Sequence, residues 1–417
     1  IEAKKKLARK IAEDKKMDVE EVKHRITSLK SQFSKATNPS MKSLITQKIG
    51  HEQKRLKKTK AETAPSSILI DEILKMKVLD PAMGSGHFLV EATDYLARAL
   101  VEALGGEVVL KEDLPGVKEE PATYEVKAKE GEEDDLRWAR REVVERCIYG
   151  VDLNSLAVEL TKLSLWLSTV AMNKPLSFLD HHLRCGNSLI GAKVKDLGRL
   201  PQISKKRKEI DKMPVQLGVF GEVLKQRLPV VLGDVMKMLK EPSDRVEQIR
   251  KKENLYTKIL DILTPFKEVA DVWTSVYFEN RKISYDWMLT SIRSSDKWSE
   301  VKEKGWFKRA QDINKKKNFF HWELEFPEIF FGEYGREKDN PGFDAVIGNP
   351  PWISFSGRQK ATLDNASLQF YRASYKVFRT WPSLHTVFGE LAFSITNKKG
   401  FHSFIVPDQV GYLDNYQ

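Results

Sequence analysis

The tetrapeptide Asn349-Pro350-Pro351-Trp352 constrains this chain more than any other stretch. It follows Phe343-Asp344-Ala345-Val346-Ile347-Gly348, whose length and β-branched residues predict a buried strand, so the tetrapeptide is a strand-end loop. Two prolines in a row fix φ and donate no N–H, which holds Asn349 extended and presents main-chain carbonyls free of competing donors. An amide side chain, rigid carbonyls and an indole ring then meet at one point. That combination suits a planar heterocycle with an exocyclic amine, Asn349 Oδ1 and the Pro350 carbonyl accepting its two N–H protons while Trp352 stacks on the ring. A plain sharp exit from a strand is the alternative for the tetrapeptide taken alone.

Two other strand ends carry chemistry. Lys77-Val78-Leu79-Asp80 is a short strand, Pro81-Ala82-Met83-Gly84-Ser85-Gly86 a glycine turn, and Phe88 to Leu104 a helix whose Leu89, Ala92, Leu96, Ala99, Leu100 and Ala103 share a face. Gly84 and Gly86 let main chain approach a ligand where a Cβ would clash, and the helix start that follows offers unpaired N–H groups. The six-residue dinucleotide fingerprint is not matched. Further on, Cys147-Ile148-Tyr149-Gly150-Val151-Asp152-Leu153-Asn154 is a second apolar strand ending in an acid. A carboxylate there is placed to take both hydroxyls of a ribose; capping the helix Leu156 to Ala171 is its alternative role, which Asn154 or Ser155 would also fill. Leu183-Arg184-Cys185-Gly186-Asn187-Ser188 looks like a third strand end, where Asn187 either accepts from an adenine amine or makes an ordinary turn. Near the end of the chain a helix over Thr386 to Asn397, a Lys398-Lys399-Gly400 turn and a strand from Phe401 to Val406 are expected. Strands alternating with helices predict an α/β, Rossmann-like, doubly wound and mostly parallel sheet with ligands at the carboxyl ends of its strands.

Charge is unevenly distributed along the 417 residues. Residues 1 to 64 hold eighteen Lys/Arg against eight Asp/Glu, and 193 to 317 hold twenty-nine against eighteen, whereas 105 to 142 hold seven against twelve. The basic excess favours a polyphosphate partner through counterion release, solvated helix faces being the alternative. Over 17 to 60, Val19, Val22, Ile26, Leu29 and Phe33 form a helical seam that Asn38-Pro39-Ser40 breaks and Ile45, Ile49 and Leu56 resume, which predicts a basic helical hairpin over 1–61, a spacer in preference to a DNA-contacting arm. The α/β core is expected over 62–192 and 318–417. An exposed acidic insertion over 105–136 interrupts its first part, and a basic helical insertion over 193–317 separates the two. Pro201, Pro214, Pro229, Pro242 and Pro265 are expected to punctuate the helices of that insertion, and Trp273, Trp287, Trp298 and Trp306 to form its core, a nucleic-acid face being the alternative. Cys147 and Cys185 lack metal-ligand spacing and the only paired histidines are His181-His182, so no structural metal is expected. No apolar run reaches membrane-spanning length, no leader pattern is present and cysteine is scarce, which predicts a soluble protein of a reducing prokaryotic cytoplasm. Ile1 in place of an initiator methionine suggests a processed or truncated piece.

Taken in order, Asp80-Pro81-Ala82-Met83-Gly84-Ser85-Gly86-His87-Phe88, Tyr149-Gly150-Val151-Asp152-Leu153-Asn154 and Ile347-Gly348-Asn349-Pro350-Pro351-Trp352 resemble the motifs of S-adenosylmethionine-dependent DNA adenine-N6 methyltransferases. Gly186-Asn187-Ser188-Leu189 and Phe326-Pro327-Glu328 are similar to the large methyltransferases of type IIG restriction–modification enzymes and related phage-defence systems. The resemblance implies that S-adenosylmethionine binds at Pro65, Asp80, Pro81, Ala82, Gly84, Ser85, Gly86, Phe88, Asp152, Leu153, Asn187 and Ser188, with S-adenosylhomocysteine as product and no metal required. It implies catalysis by Asn349, Pro350, Pro351 and Trp352 on a base flipped from double-stranded DNA. Two departures stand out: the family commonly has an acid where Asn187 stands, and its Tyr-Thr-Pro turn appears here as Thr63-Ala64-Pro65. Fused members carry an amino-terminal nuclease and a carboxyl-terminal target-recognition domain, so partner subunits or fused domains are expected. The rival readings are a methyltransferase of protein glutamine side chains, where similar Asn-Pro-Pro motifs serve a planar amide, a non-catalytic cofactor-binding subunit of a defence complex, and the modification half of a bifunctional nuclease.

Overall fold

Five short runs form one wholly parallel sheet: β1 (Val78–Asp80), β2 (Ile148–Asp152), β3 (Leu183–Cys185), β4 (Phe343–Gly348) and β5 (Thr396–Phe404), in the order β3-β2-β1-β4-β5. The chain therefore has the α/β, doubly wound architecture its strand and helix alternation predicts. The structure, a computed structural model, describes residues 1–35, 38–62, 64–105, 132–170, 174–201, 218–355, 361–380 and 382–407. Most of the acidic insertion expected over 105–136 lies outside these residues, as do Thr63, the segment 356–360 beyond Trp352 and everything after Pro407. No helix among the described residues is long and apolar enough to cross a membrane.

The chain divides into two compact units, Ile1–Met76 with Asp94–Val143, and Lys77–Thr93 with Val144–Gln417. In the first, α1 (Glu2–Asp14), α2 (Lys16–Lys35), α3 (Pro39–Glu62) and α4 (Pro65–Leu74) follow one another. α2 and α3 pack together, with Val22, Ile26 and Ile45 buried and Phe33 37% exposed at the hairpin end. The same unit holds most of α5 (His87–Ala103) and of α6 (Glu132–Arg146), joined by Asp94, which accepts from Arg140 Nη2 at 2.5 Å and pairs with Arg98. Glu132-Glu133-Asp134-Asp135, expected in the exposed insertion, instead opens α6.

The second unit contains the sheet, flanked by α7 (Ser155–Thr169) and the helices of the insertion, α8 (Gly218–Lys240) and α9 (Val246–Ser275). Pro229 and Pro265 lie inside α8 and α9 and do not end them, correcting the expected punctuation. A proline removes one i→i−4 hydrogen bond, and here the buried faces of the two helices, with Leu228 and Phe266 beside the prolines, outweigh that loss. Glu145 ties the insertion to the sheet, accepting from Lys252 Nζ at 2.7 Å, Ser243 Oγ at 2.7 Å and Ser177 Oγ at 2.5 Å. Trp273 and Trp298 are buried and Trp287 and Trp306 pack against the same core, which is the core role expected of the tryptophans. Phe343 at the start of β4 is fully buried, its ring edge-on to Tyr149, Trp322 and Phe326. β5 begins earlier than expected, because Thr396 already pairs with Phe343, and a register shift before Ala345↔Phe401 absorbs the Lys398-Lys399-Gly400 segment as an irregularity of the strand.

Candidate active site

Every strand-end motif singled out in the second unit lies at the carboxyl edge of the sheet, since parallel strands end on one side. The order reverses between β1 and β4, which makes the gap beyond Asp80 and Gly348 the topological switch point, where open α/β sheets bind ligands. The two strands meet there without intervening side chain: a Cβ built on Gly348 falls 2.6 Å from Asp80 Oδ1, so only glycine lets the Asn349 loop leave β4 against that carboxylate.

Asp80 is 1% exposed and accepts from the Ala82 N–H at 2.9 Å. Burial pushes its carboxyl up to about 7, the Ala82 hydrogen bond opposes the rise and the nearby Asp152 charge adds to it. The glycine turn folds over β2, with the Met83 N–H donating to the Val151 carbonyl at 3.1 Å. Gly86 has φ +84°, and a Cβ there would come 2.7 Å from the Thr161 methyl. Two hydroxyls of α7 hold the turn from beneath, Thr161 Oγ1 donating to the Gly84 carbonyl at 2.9 Å and Ser164 Oγ to the Ser85 carbonyl at 3.0 Å. Sequence reasoning missed both residues; two hydroxyls one helical turn apart in a leucine-rich helix were the available signal.

Asp152 accepts from the Gly84 N–H at 2.9 Å through Oδ2 and from the Asn154 N–H at 2.8 Å through Oδ1. It does not cap α7. Asn154 does, accepting from the Leu156 N–H at 3.0 Å. A carboxylate has about four lone-pair sites, so Asp152 retains room for two hydroxyl donors while fixing the glycine turn. Asn187 follows β3, accepts from the Leu189 N–H at 3.1 Å and bonds the Tyr371 hydroxyl, whose ionisation burial pushes up to about 12. Ser188, 6% exposed, donates to the Pro81 carbonyl at 2.6 Å and so joins the β3 loop to the β1 loop. Pro81 is buried, Ala82 and Phe88 half-buried, Ser85 exposed, and Leu153 54% exposed at the approach to α7. Pro65 opens α4 in the other unit, its side chain outside the described set.

Beyond β4, Pro350 is buried, while Asn349 and Pro351 are exposed and Trp352 is 53% exposed. The loop is pinned to the end of β5: the Ile405 N–H donates to the Gly348 carbonyl at 3.0 Å and Trp352 Nε1 donates to the Ile405 carbonyl at 3.2 Å. The far side of the loop bonds to the segment before residue 384, through Phe355 N–H to the Pro382 carbonyl and Leu384 N–H to the Ile353 carbonyl. The arrangement presents one amide and one open aromatic face beside a buried carboxylate, a glycine turn and a second carboxylate with lone pairs to spare. These residues fit an adenosine-containing cation: the glycine turn offers main chain, Asp152 lone pairs for hydroxyls, and Asp80 a buried carboxyl whose ionised form a bound cation would favour.

A family model described as Eco57I restriction-modification methylase matches residues 146–416, and one described as the MmeI DNA-methyltransferase domain matches residues 55–188. A protein of Methanocaldococcus jannaschii, under the provisional name of a type II restriction enzyme and methyltransferase, is 26% identical over 313 residues, which cover 68% of this chain and 22% of that protein. The chain thus spans about a fifth of the length of that relative.

Proposed function

The chain belongs to the Eco57I restriction-modification methylase family, and from that premise we propose that it is a DNA methyltransferase that moves a methyl group from S-adenosylmethionine to N6 of an adenine turned out of the duplex. The observation that supports the reading is the abutment at the switch point, where Gly348, the residue before Asn349, packs directly against the buried carboxylate of Asp80. Two half-sites with different chemistry adjoin there, a cation-accepting pocket and an amine-accepting loop. S-adenosylmethionine, when bound, supplies an electrophilic methyl group on a positively charged sulfur.

The chain's own residues then have three tasks. Asp80, the glycine turn, Asp152 and Asn187 hold the cofactor, with Thr161 and Ser164 fixing the turn. Trp352, whose indole is oriented by Ile405, gives a flipped base a stacking surface, and stacking of this kind is worth about 1–3 kcal/mol per base against an unstacking cost of a few kcal/mol. Asn349 Oδ1 and the Pro350 carbonyl accept the two amine hydrogens, which draws the nitrogen toward tetrahedral geometry and exposes its lone pair. Positioning and electrostatics account for the acceleration. A restriction–modification role, with nuclease and target-recognition functions elsewhere in a longer protein or in partner subunits, agrees with the naming of the archaeal relative.

The test is incubation of the purified protein with labelled S-adenosylmethionine and either duplex DNA or a protein carrying an exposed glutamine. The reading expects label in DNA, recovered as N6-methyl-2′-deoxyadenosine, and its loss in Asn349→Ala with cofactor affinity retained. Label in the glutamine substrate alone, or binding with no turnover when partner subunits are supplied, overturns it in favour of the rival readings.

A further inference from the structure

At the opposite edge of the sheet, where the strands begin, three buried side chains meet whose chemistry the methyl transfer does not use. His181 and His182 immediately precede β3, and Glu328 lies in the segment leading to β4. They are 2%, 3% and 9% exposed, and one ligand atom from each lies within 4.8 Å of the others. Tyr149, second residue of β2, stacks on His182 with ring centroids 4.1 Å apart and donates its hydroxyl to Glu328 Oε1 at 3.1 Å. His181 Nε2 shares that oxygen at 2.9 Å.

What distinguishes the cluster is the kind of atom left over. His181 Nδ1, His182 Nε2 and Glu328 Oε2 are buried and have no hydrogen-bond partner among the described residues. His181 Nε2 bonds Glu328 Oε1, and in the neutral imidazole with Nε2–H donating, the unpartnered Nδ1 is a lone pair. His182 bonds the backbone of Val144, and since Nε2 is the unpartnered atom, Nδ1–H makes that bond and Nε2 is a lone pair as well. Two ring nitrogens and one carboxylate oxygen are thus left without a hydrogen-bond partner among the described residues. Orphaned buried polar atoms are rare and costly. His321, equally buried in the same unit, shows the ordinary solution: its Nδ1 accepts from the Ala192 N–H at 3.0 Å and its Nε2 bonds Asp271 at 3.0 Å. Lys77 and Lys338 approach Glu328, yet each donates to a main-chain carbonyl, of Arg146 and of Glu328 respectively, and not to its carboxylate.

We propose that His181, His182 and Glu328 form a buried structural site for a divalent transition-metal ion of the zinc class. Two imidazole nitrogens and a carboxylate oxygen are the donor set of three-ligand zinc sites, whose fourth position a water fills. A histidine held through its other nitrogen by a main-chain carbonyl, as His182 is, matches the outer-shell arrangement of metal ligands. Ligands about 2.1 Å from one tetrahedral ion lie roughly 3.4 Å apart, a spacing the 4.8 Å limit on this cluster brackets. The ion would join the loop before β3 to the segment before β4, at the sheet edge away from Asp80 and Asn349. This runs against the expectation, drawn from cysteine and histidine spacing, that the fold has no structural metal.

The experiment uses the intact protein without a histidine tag, purified, stripped with chelator and titrated with Co²⁺, with zinc content of the unstripped protein measured in parallel by mass spectrometry. The expected result is one equivalent of zinc per chain, a visible Co²⁺ ligand-field spectrum saturating at one equivalent, and a melting temperature that chelator lowers and Zn²⁺ restores. Glu328→Gln keeps an oxygen for the Tyr149 hydroxyl and removes the charge; it is expected to bind Co²⁺ at least about tenfold more weakly. Absence of stoichiometric metal and of a Co²⁺ spectrum in the unmodified protein, as when a buried water fills the space, overturns the proposal even if the variant fails to fold. Equal Co²⁺ affinity in a folded Glu328→Gln protein overturns it too.

Discussion

The sharpest consequence of the switch-point geometry concerns Asp80→Asn. Burial raises the Asp80 carboxyl from 3.8 to about 7, about three units, and each unit corresponds to about 1.4 kcal/mol between the two protonation states. Because the folded value lies above the unfolded one, the folded protein holds the extra proton between pH 4 and pH 7. Stability from this group is therefore fully present below about pH 4, falls as pH rises through that window, and is flat above it. The ionised carboxylate costs the ligand-free protein about 4 kcal/mol at pH 8, an order-of-magnitude figure of which about 2 kcal/mol develops between pH 5.5 and 7. Asparagine keeps an oxygen for the Ala82 N–H and removes the charge, so the variant is expected to be more stable than the parent at pH 8, with the gap closing toward pH 5.5. Urea titrations of both proteins across that range measure it. A cation bound beside Asp80 favours the ionised form, so affinity for S-adenosylmethionine should rise up to tenfold per pH unit toward pH 7 in the parent, and be weaker and flat in the variant. A stability difference independent of pH, with parallel cofactor profiles, would refute the reasoning.

Other consequences follow from single contacts. Trp352→Ala removes the exposed stacking face and should lower kcat/KM for duplex DNA by roughly 5- to 150-fold, corresponding to about 1–3 kcal/mol of stacking, with the cofactor dissociation constant unchanged in titration calorimetry. Thr161→Val keeps shape but takes the hydroxyl from the Gly84 carbonyl; at about 1 kcal/mol per hydrogen bond, cofactor affinity should fall about fivefold by the same method. Lys252→Met removes a buried lysine from the half-buried Glu145, which should cost up to about 3 kcal/mol in urea unfolding, whereas Arg293→Met, in an ion pair with both partners exposed, should cost under about 1 kcal/mol.

The site was legible where chemistry and secondary structure coincide. Each strand that carries a motif ends on it, so reading an apolar run to its first polar residue found Asp80, Asp152 and Asn349 together, and the parallel order then put them on one edge. Adjacency was harder. Nothing in the residues before and after it says that Gly348 abuts Asp80, or that α7 reaches under the glycine turn with Thr161 and Ser164, since both contacts join distant segments. Local rules failed where packing overrode them. Pro229 and Pro265 look like helix ends and are not, because the buried faces around them hold α8 and α9 together. The Lys398-Lys399-Gly400 segment looks like a turn but is an irregularity inside β5, with Gly400 fitting against the Phe343 carbonyl. His181-His182 was noticed as a pair, yet its third partner, Glu328, lies 147 residues from His181, so no spacing rule brings the three together.

Long-read sequencing of genomic DNA from cells with the gene, without it, and with its Asn349→Ala form reads the central claim most directly. The account predicts N6-methyladenine at one defined sequence context, present only with the unaltered gene. Methylated cytosine in its place, or adenine methylation that persists in the Asn349→Ala strain, would contradict it.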